Sequence, residues 1–334
     1  MEAAASVSLI GWRRPAVVLG ALVIVTWVVL PRLFKVNPVA PLRSLQWTWV
    51  LVAVMAQVGM QWGRGLLVRG ITSGPSALLG HVRATMVVLG ASSVGLLGGG
   101  FPGYAAALYR WSRSNGVPVA AAAMAGWVPS LLFSAAVSMI AVVSGAMVLT
   151  TGLLSSREEA GIALGLLLVV APLATVGWVV RDRARAERWL TAGARRWAGL
   201  RRRAFDDEAS RLLSTRIESA WLAMQQRGWW SLVFAALFSA CCDALSVWAL
   251  LAAAGQHLSF VATCAAWGIP HLLGNASMLP GGAGVVELTM TPLLTRLGVS
   301  AAPALAVVLG YRALSFWVPM LAGLPVILWF ERKK

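Results

Sequence analysis

A glycine-rich break inside an apolar region governs the fold of this chain: Leu279-Pro280-Gly281-Gly282-Ala283-Gly284-Val285-Val286-Glu287. It separates two apolar segments, residues 260–279 and 285–297. Proline lacks a backbone N–H and glycine carries an entropic cost, so a helix does not continue readily through the break. Broken backbone at membrane depth persists only where protein or a wet cavity covers it. The segment therefore predicts the tip of a helical hairpin that enters and leaves the membrane on one side.

A second break of the same kind lies in the first half, at Leu97-Gly98-Gly99-Gly100-Phe101-Pro102-Gly103. An offset of 182 residues matches Trp47 to Trp229, Gly99-Gly100 to Gly281-Gly282, and Gly116-Val117 to Gly298-Val299. The first hairpin would open to the cytoplasm and the second to the outside, as in the inverted-topology repeats of transporters. We predict a first repeat over residues 47–150 and a second over 229–331. Two short full crossings per hairpin would give the same sidedness, and this alternative stays open.

The composition is typical of a multi-span membrane protein. Hydrophobic residues make up 59% of the 334 positions and charged residues 12%, whereas roughly a quarter of a soluble protein is charged. Apolar segments recur along the chain, at residues 15–31, 47–67, 84–108, 118–150, 160–180, 229–254, 260–279, 285–297 and 300–330. We predict an all-α polytopic membrane protein with one transmembrane domain over residues 1–334. It would have about six full spans in addition to the two re-entrant hairpins, at about 20 residues for each span.

The net charge of +16 sets the expected orientation. The basic residues lie between apolar segments, which indicates the positive-inside rule and contact with anionic lipid rather than nucleic acid. The charge pattern places both termini in the cytoplasm, and Arg64 at the cytoplasmic end of the span over 47–67. The start resembles a signal peptide without a cleavage site, so we expect an uncleaved first span. Residues 181–228 are predicted to form a cytoplasmic amphipathic linker, either a connector or a platform for anionic lipids.

The candidate site centres on acidic residues inside apolar segments, which are Asp243 and Glu287. A buried ionisable group is costly in a membrane and is a functional hypothesis by default. Glu287 falls in the first turn of a short helix, where the helix dipole favours a carboxylate. Arg312, near the midplane, would neutralise Glu287 or Asp243 or bind a phosphate. A purely structural buried salt bridge is the alternative.

Further candidates for substrate binding surround these groups. The second break contributes the glycines Gly281, Gly282 and Gly284, whose amides are uncovered, and the polar residues His271 and Asn275 precede it. Gln61 is the repeat equivalent of Asp243, and Arg83 and Arg110 flank the first hairpin. Simpler roles are helix–helix hydrogen bonding for the histidine and interfacial anchoring for the two arginines.

Catalytic and cofactor motifs are missing from the sequence. There is no Walker A motif, no metal-ligand spacing and no Ser-His-Asp set, and the three cysteines lie in apolar segments as packing residues. We therefore expect a protein that is not an enzyme, with no catalytic residue, no metal and no cofactor.

Three segments together resemble the signature of the lysylphosphatidylglycerol synthase transmembrane family of flippase-like membrane proteins: residues 279–287, Leu297-Gly298-Val299, and Tyr311-Arg312. The first-half segment 99–103, with Gly116-Val117, looks like a degenerate form of the family's earlier motif. It lacks the usual Asn before the break and the usual Gly-Asp-x-x-Arg after it. By this resemblance Glu287 and Arg312 are family motif positions.

The resemblance implies a bacterial or archaeal inner-membrane protein that moves lipids between leaflets. In the best-known relatives this domain translocates aminoacylated phosphatidylglycerol made by a fused cytosolic synthase. The sequence contains no such synthase domain, so we expect that it does not make the lipid.

These observations lead to a lipid translocator as the first hypothesis. Its substrate would be an anionic or aminoacylated phospholipid, or a polyprenyl-phosphate-linked lipid. The alternatives are a small-solute or ion-coupled secondary transporter, and a non-transporting membrane partner of a lipid or glycan enzyme. Expected partners are membrane phospholipids, with a lipid-modifying enzyme or a second copy of the chain as further options, and no nucleic acid.

Overall fold

The computed structural model describes residues 32, 45–72, 79–150, 229–277 and 280–332. Regular structure within these ranges is helical throughout, which confirms the predicted all-helical class for the described residues. The predicted spans over 15–31 and 160–180 and the linker over 181–228 lie outside them.

The first half is a long helix, a helical hairpin and a second long helix. Its elements are α1 (Trp47–Thr72), α2 (His81–Val94), a π-helical turn (Gly95–Gly99), α3 (Gly100–Ser114) and α4 (Val119–Leu149). The chain turns back at Gly100, whose φ of 54° and ψ of −158° are not helical. Glycine accepts this backbone without a steric penalty, so α2 and α3 fold against each other.

The second half has the same order of elements. They are α5 (Trp229–Ala253), α6 (Phe260–Ala276), a 3₁₀ turn (Pro280–Gly282), α7 (Val285–Arg296), α8 (Ala301–Arg312), a second π-helical turn (Ala313–Trp317) and α9 (Val318–Arg332). The break between α6 and α7 contains three glycines with positive φ, at Gly281, Gly282 and Gly284. The π-helical turn continues α8 into α9 without a reversal.

Four helical segments in the described ranges are long and apolar enough to cross a membrane. They are Trp47–Thr72, Val119–Leu149, Trp229–Ala253 and Ala301–Arg332, in agreement with four of the predicted spans. The protein is therefore a multi-pass membrane protein. The hairpin helices α2, α3, α6 and α7 have 14, 15, 17 and 12 residues. At 1.5 Å per residue they are about 18–26 Å long, which is less than the roughly 30 Å hydrocarbon core.

Helices α1 and α5 form the centre of the described structure and run antiparallel. The Gln46 amide donates to the Ala253 carbonyl (3.0 Å), and further along α1 the Ser239 hydroxyl donates to the Met60 carbonyl (2.9 Å). A Cβ added at Gly63 would lie 2.9 Å from the Ser239 Cβ. Small residues thus allow the close helix approach that is common between membrane helices.

Each hairpin packs against the last long helix of the other half: α2 contacts α9, and α6 contacts α4. The Ser93 hydroxyl lies 2.9 Å from the Met320 carbonyl, and a Cβ at Gly268 would lie 2.8 Å from the Ala141 Cβ. The two breaks also meet, since the Gly95–Gly99 turn contacts the Pro280–Gly282 turn. The tips of the two hairpins are therefore in contact with each other, and each hairpin packs against the other half of the chain.

Candidate functional site

A buried ion pair closes the second break. The Nε of Arg312 donates to Oε1 of Glu287 at 2.7 Å, and the two side chains are only 5% and 1% exposed. The Nη2 of Arg312 donates to the Gly281 carbonyl at 3.0 Å. Its guanidinium carbon lies 4.8 Å from the centre of the Phe316 ring. Arg312 therefore joins α8 to both sides of the glycine turn.

Local sequence explains the position of Glu287. It is the third residue of α7, and its Oε2 accepts a hydrogen bond from the Gly284 amide (2.8 Å) that precedes the helix. A carboxylate in the first turn satisfies a free amide and lies at the positive end of the helix dipole. Of the two carboxylates expected as partners of Arg312, Glu287 is the one that it contacts.

A second buried polar cluster surrounds Asp243, which is 2% exposed. Its Oδ1 accepts hydrogen bonds from Gln57 Nε2 (2.8 Å) and from the Tyr311 hydroxyl (3.1 Å). His271 Nε2 lies 3.8 Å from Asp243 Oδ2. The Tyr311 hydroxyl also accepts from Trp267 Nε1 (3.2 Å). These contacts join α1, α5, α6 and α8.

His271 competes with Asp243 for the hydroxyl hydrogen of Tyr311. His271 Nδ1 faces the Trp267 carbonyl at 3.2 Å, and a carbonyl only accepts, so this nitrogen carries hydrogen. His271 Nε2 lies 3.2 Å from the Tyr311 hydroxyl. Tyr311 has a single hydroxyl hydrogen, which it donates to Asp243 Oδ1. A neutral imidazole would accept that hydrogen only if the hydroxyl turned away from Asp243, whereas an imidazolium would donate to the hydroxyl oxygen.

The two clusters are adjacent, because Tyr311 and Arg312 are consecutive on α8. The structure thus brings five of the predicted residues together in one region: Asp243, His271, Gly281, Glu287 and Arg312. Gly284 belongs to the same site through its amide. Gly282 supplies space, since a Cβ there would lie 2.8 Å from the Gly274 Cα.

The other predicted residues lie apart from this pair of clusters. Asn275 is exposed near the end of α6, and Arg83 is exposed on α2. Arg110 forms an ion pair with Glu331 of α9, in which both side chains are 40% exposed. The buried Gln61 Oε1 has no hydrogen-bond partner among the described residues.

Sequence reasoning missed three members of the Asp243 cluster. Gln57 lies one helical turn before Gln61, and it also donates to the Ser246 hydroxyl (2.7 Å). Trp267 lies one turn before His271, and Tyr311 precedes Arg312. A search for polar residues at helical spacing from the candidates would have found the first two.

The chemistry of the site is that of ion pairing and hydrogen bonding between buried polar side chains. Within the described ranges, no group of three His, Cys, Asp or Glu residues could hold a metal ion. A guanidinium at a broken helix can exchange a carboxylate for a phosphate, since both accept bidentate hydrogen bonds.

A family model described as the lysylphosphatidylglycerol synthase TM region matches residues 12–323. This match includes both hairpins and both polar clusters, and it agrees with the resemblance read from the motifs. No curated protein matches the chain.

Proposed function

The chain belongs to the family of the lysylphosphatidylglycerol synthase TM region, and from this membership we propose that it is a lipid translocator. The family associates the protein with lipid metabolism or transport. The substrate in this proposal is an anionic or aminoacylated phospholipid, or a polyprenyl-phosphate-linked lipid. The observation that carries the proposal is the buried Arg312–Glu287 pair at the point where the two broken hairpins meet. The protein acts without catalysis, in the inner membrane of a bacterium or archaeon.

The proposal includes an inverted repeat of the two halves, and the helix boundaries support it. Adding the 182-residue offset to α4, Val119–Leu149, gives 301–331, and the last long helical segment is Ala301–Arg332. The end of α3 at Ser114 becomes 296, where α7 ends.

The packing of α1 on α5 gives a second line of support. A Cβ at Gly59 would lie 3.0 Å from Cys242 Sγ, and the offset relates Gly59 and Met60 to Cys241 and Cys242. Equivalent residues of an antiparallel pair thus meet at the crossing. This is the property of a two-fold axis between the helices, and inverted repeats place that axis in the membrane plane.

In this arrangement the hairpins are re-entrant from opposite sides. Their helices are shorter than the hydrocarbon core, and their broken tips touch each other. Leu96 of the first tip would lie 3.1 Å from a Cβ at Gly281 of the second. Both termini face the cytoplasm, which leaves the basic segments inside.

The site would handle the head group while the acyl chains stay in lipid. Arg312 and Glu287 neutralise each other in the resting state, so that no net charge is buried at the break. A charged head group that passes the two clusters would then meet polar side chains instead of hydrocarbon, which lowers the cost of crossing the core.

An ion-coupled secondary transporter is the second candidate, and the Asp243 cluster favours it. The contact of Asp243 with Tyr311 and its proximity to His271 provide a protonatable group inside the membrane. A role as a membrane partner of a lipid or glycan enzyme through residues 181–228 stays a prediction.

Reconstitution tests the proposal. Proteoliposomes carry fluorescent phosphatidylglycerol, and dithionite bleaching of the outer leaflet measures exchange. We expect wild type to accelerate exchange over empty liposomes, with Glu287→Gln and Arg312→Gln strongly impaired and the exposed Arg332→Gln unchanged. Wild type equal to empty liposomes would refute translocation of this lipid, and a pH gradient that drives solute uptake instead would favour the second candidate.

A further inference from the structure

Arg64 is a partly buried cation that belongs to neither of the two clusters. It lies within α1 and is partly buried. Its guanidinium carbon is 4.3 Å from the centre of the Phe133 ring on α4. In the described part of the chain Arg64 has no carboxylate partner, whereas Arg312 pairs with Glu287 and Arg110 with Glu331.

In the proposed two-fold arrangement Arg64 lies deeper in the membrane than the sequence analysis placed it. The expected span ended at residue 67, but α1 continues to Thr72. The proposed two-fold axis crosses α1 between Gly59 and Met60, so Arg64 is about 7 Å from the midplane at 1.5 Å per residue. Half of the hydrocarbon core is about 15 Å. Arg64 therefore lies at hydrocarbon depth, where an unpaired charge is costly and marks a functional site.

The surroundings of Arg64 belong to both hairpins. Its charge acts on Tyr104 of α3 and on His271 of α6. Tyr104 lies beside the first break, since a Cβ at Gly95 would be 3.2 Å from the Tyr104 Cβ. Arg64 thus faces a polar region next to the meeting point of the two tips.

The two deep arginines differ in what they are free to bind. Arg312 already donates to Glu287 and to the Gly281 carbonyl, and an anion would have to displace both. Arg64 makes a cation–π contact, and none of the carboxylates in the described ranges uses its N–H groups. A guanidinium of this kind offers a planar, bidentate fork to a phosphate.

We propose that Arg64 is the phosphate-binding residue of the translocation path, and that it holds the phosphodiester of a lipid head group while Arg312 stays paired with Glu287. The inference rests on the proposed function and adds to it a head-group subsite. It identifies the substrate class as lipids that carry phosphate, as distinct from neutral glycolipids.

Lipid binding to the purified full chain tests the inference by native mass spectrometry. The probes are phosphatidylglycerol, a monogalactosyl diacylglycerol with the same acyl chains, and inorganic phosphate alone. The proteins are wild type, Arg64→Gln, Arg64→Lys and the exposed control Arg332→Gln. Loss of a charge-assisted hydrogen-bond pair predicts about tenfold to hundredfold weaker phosphatidylglycerol binding by Arg64→Gln. We expect partial retention by Arg64→Lys, and no change in Arg332→Gln or in binding of the glycolipid.

Equal phosphatidylglycerol affinity in wild type and Arg64→Gln would overturn the inference. Inorganic phosphate that binds through Arg64 without Arg64-dependent lipid binding would overturn the assignment to a lipid. If Arg64→Gln loses binding of phosphatidylglycerol and of the glycolipid equally, the variant is misfolded, and Arg64→Lys becomes the deciding variant. The inference then requires that Arg64→Lys still bind phosphatidylglycerol more tightly than the glycolipid, and the absence of this preference would overturn it. The translocation assay on the same preparations separates the two proposals. If the wild type exchanges lipid between leaflets and Arg64→Gln binds phosphatidylglycerol as tightly as the wild type, the head-group subsite is refuted and translocation is not. If lipid binding depends on Arg64 but the wild type does not exchange lipid, translocation is refuted and the subsite is not.

Discussion

Replacing Glu287 by glutamine should destabilise the protein strongly, because it leaves Arg312 buried without a counter-charge. The substitution keeps the shape of the side chain and an oxygen that can accept from the Gly284 amide. The cap is therefore largely retained, and the loss is electrostatic. Breaking a buried pair by removing one partner costs about 3–5 kcal/mol, a large share of a typical unfolding free energy of about 5–15 kcal/mol.

The magnitude depends on burial, and the protein offers a matched control. The Glu287 and Arg312 side chains are 1% and 5% exposed, whereas those of Glu331 and Arg110 are both 40% exposed. Exposed pairs contribute about 0–1 kcal/mol. We therefore expect Glu331→Gln to change the unfolding free energy by less than about 1 kcal/mol.

The assay is a double-mutant cycle measured by steric trapping in bicelles. Glu287→Gln, Arg312→Gln and the double variant are compared with wild type. The double variant buries no charge, so its loss should be smaller than the sum of the single losses by about 2 kcal/mol or more. A Glu287→Gln variant as stable as wild type, or strictly additive losses, would refute the claim that the pair is a coupled buried unit.

Three further predictions concern close contacts and the second cluster. Gly281→Ala should lower the unfolding temperature in detergent, because Gly281 has a φ of +61° and its Cβ would lie 2.5 Å from the Phe316 ring. The left-handed backbone alone costs about 1–2 kcal/mol. Gly63→Ala should cost about 1–3 kcal/mol by overpacking and speed amide hydrogen exchange in α1 and α5, since its Cβ would lie 3.1 Å from the α5 backbone. Tyr311→Phe should lower the unfolding free energy by about 1–3 kcal/mol, measured by steric trapping, because it removes a donor to Asp243.

Glycines of α3 and α8 serve as controls that separate these effects from a general sensitivity to Gly→Ala substitution. Gly310→Ala meets nothing closer than 3.9 Å, and Gly103→Ala nothing closer than 3.5 Å. Both should be neutral or slightly stabilising, because alanine favours a helix. If they destabilise as much as Gly281→Ala and Gly63→Ala, the close contacts do not explain the losses. Tyr311→Phe as stable as wild type would exclude an energetic role for its hydroxyl.

The sequence was sufficient for the helices of the described ranges and for both breaks, because apolar length and clustered glycine are local properties. It left the partner of Arg312 open between Glu287 and Asp243, since the choice depends on how α8 packs against α7. The 182-residue offset relates Gln61 to Asp243, but equivalence in a repeat does not mean contact. Helices α1 and α5 are antiparallel and cross between residues 59 and 60 of α1. A residue of α5 that follows the crossing therefore packs against a residue of α1 that precedes it, and Asp243 contacts Gln57 instead of Gln61.

Arg64 illustrates the same limit. The charge pattern placed it at the end of a span that stops at residue 67, whereas α1 continues to Thr72, so Arg64 lies about two helical turns before the end of its helix. Arg64 pairs with no carboxylate among the described residues, and this is a consequence of tertiary packing that no spacing in the sequence encodes.

The most direct test of the account is the sidedness of the two hairpins. Cys241, Cys242 and Cys264 are first replaced, and single cysteines are then introduced at exposed ends of the hairpins. The variants are Gly80→Cys and Ser114→Cys for the first hairpin, and His257→Cys and Ser300→Cys for the second. Each variant is labelled in cells with a membrane-impermeant maleimide. The account predicts that the first two react from one face of the membrane only and the last two from the opposite face only. Labelling of all four from the same face, or of the two ends of one hairpin from different faces, would contradict it.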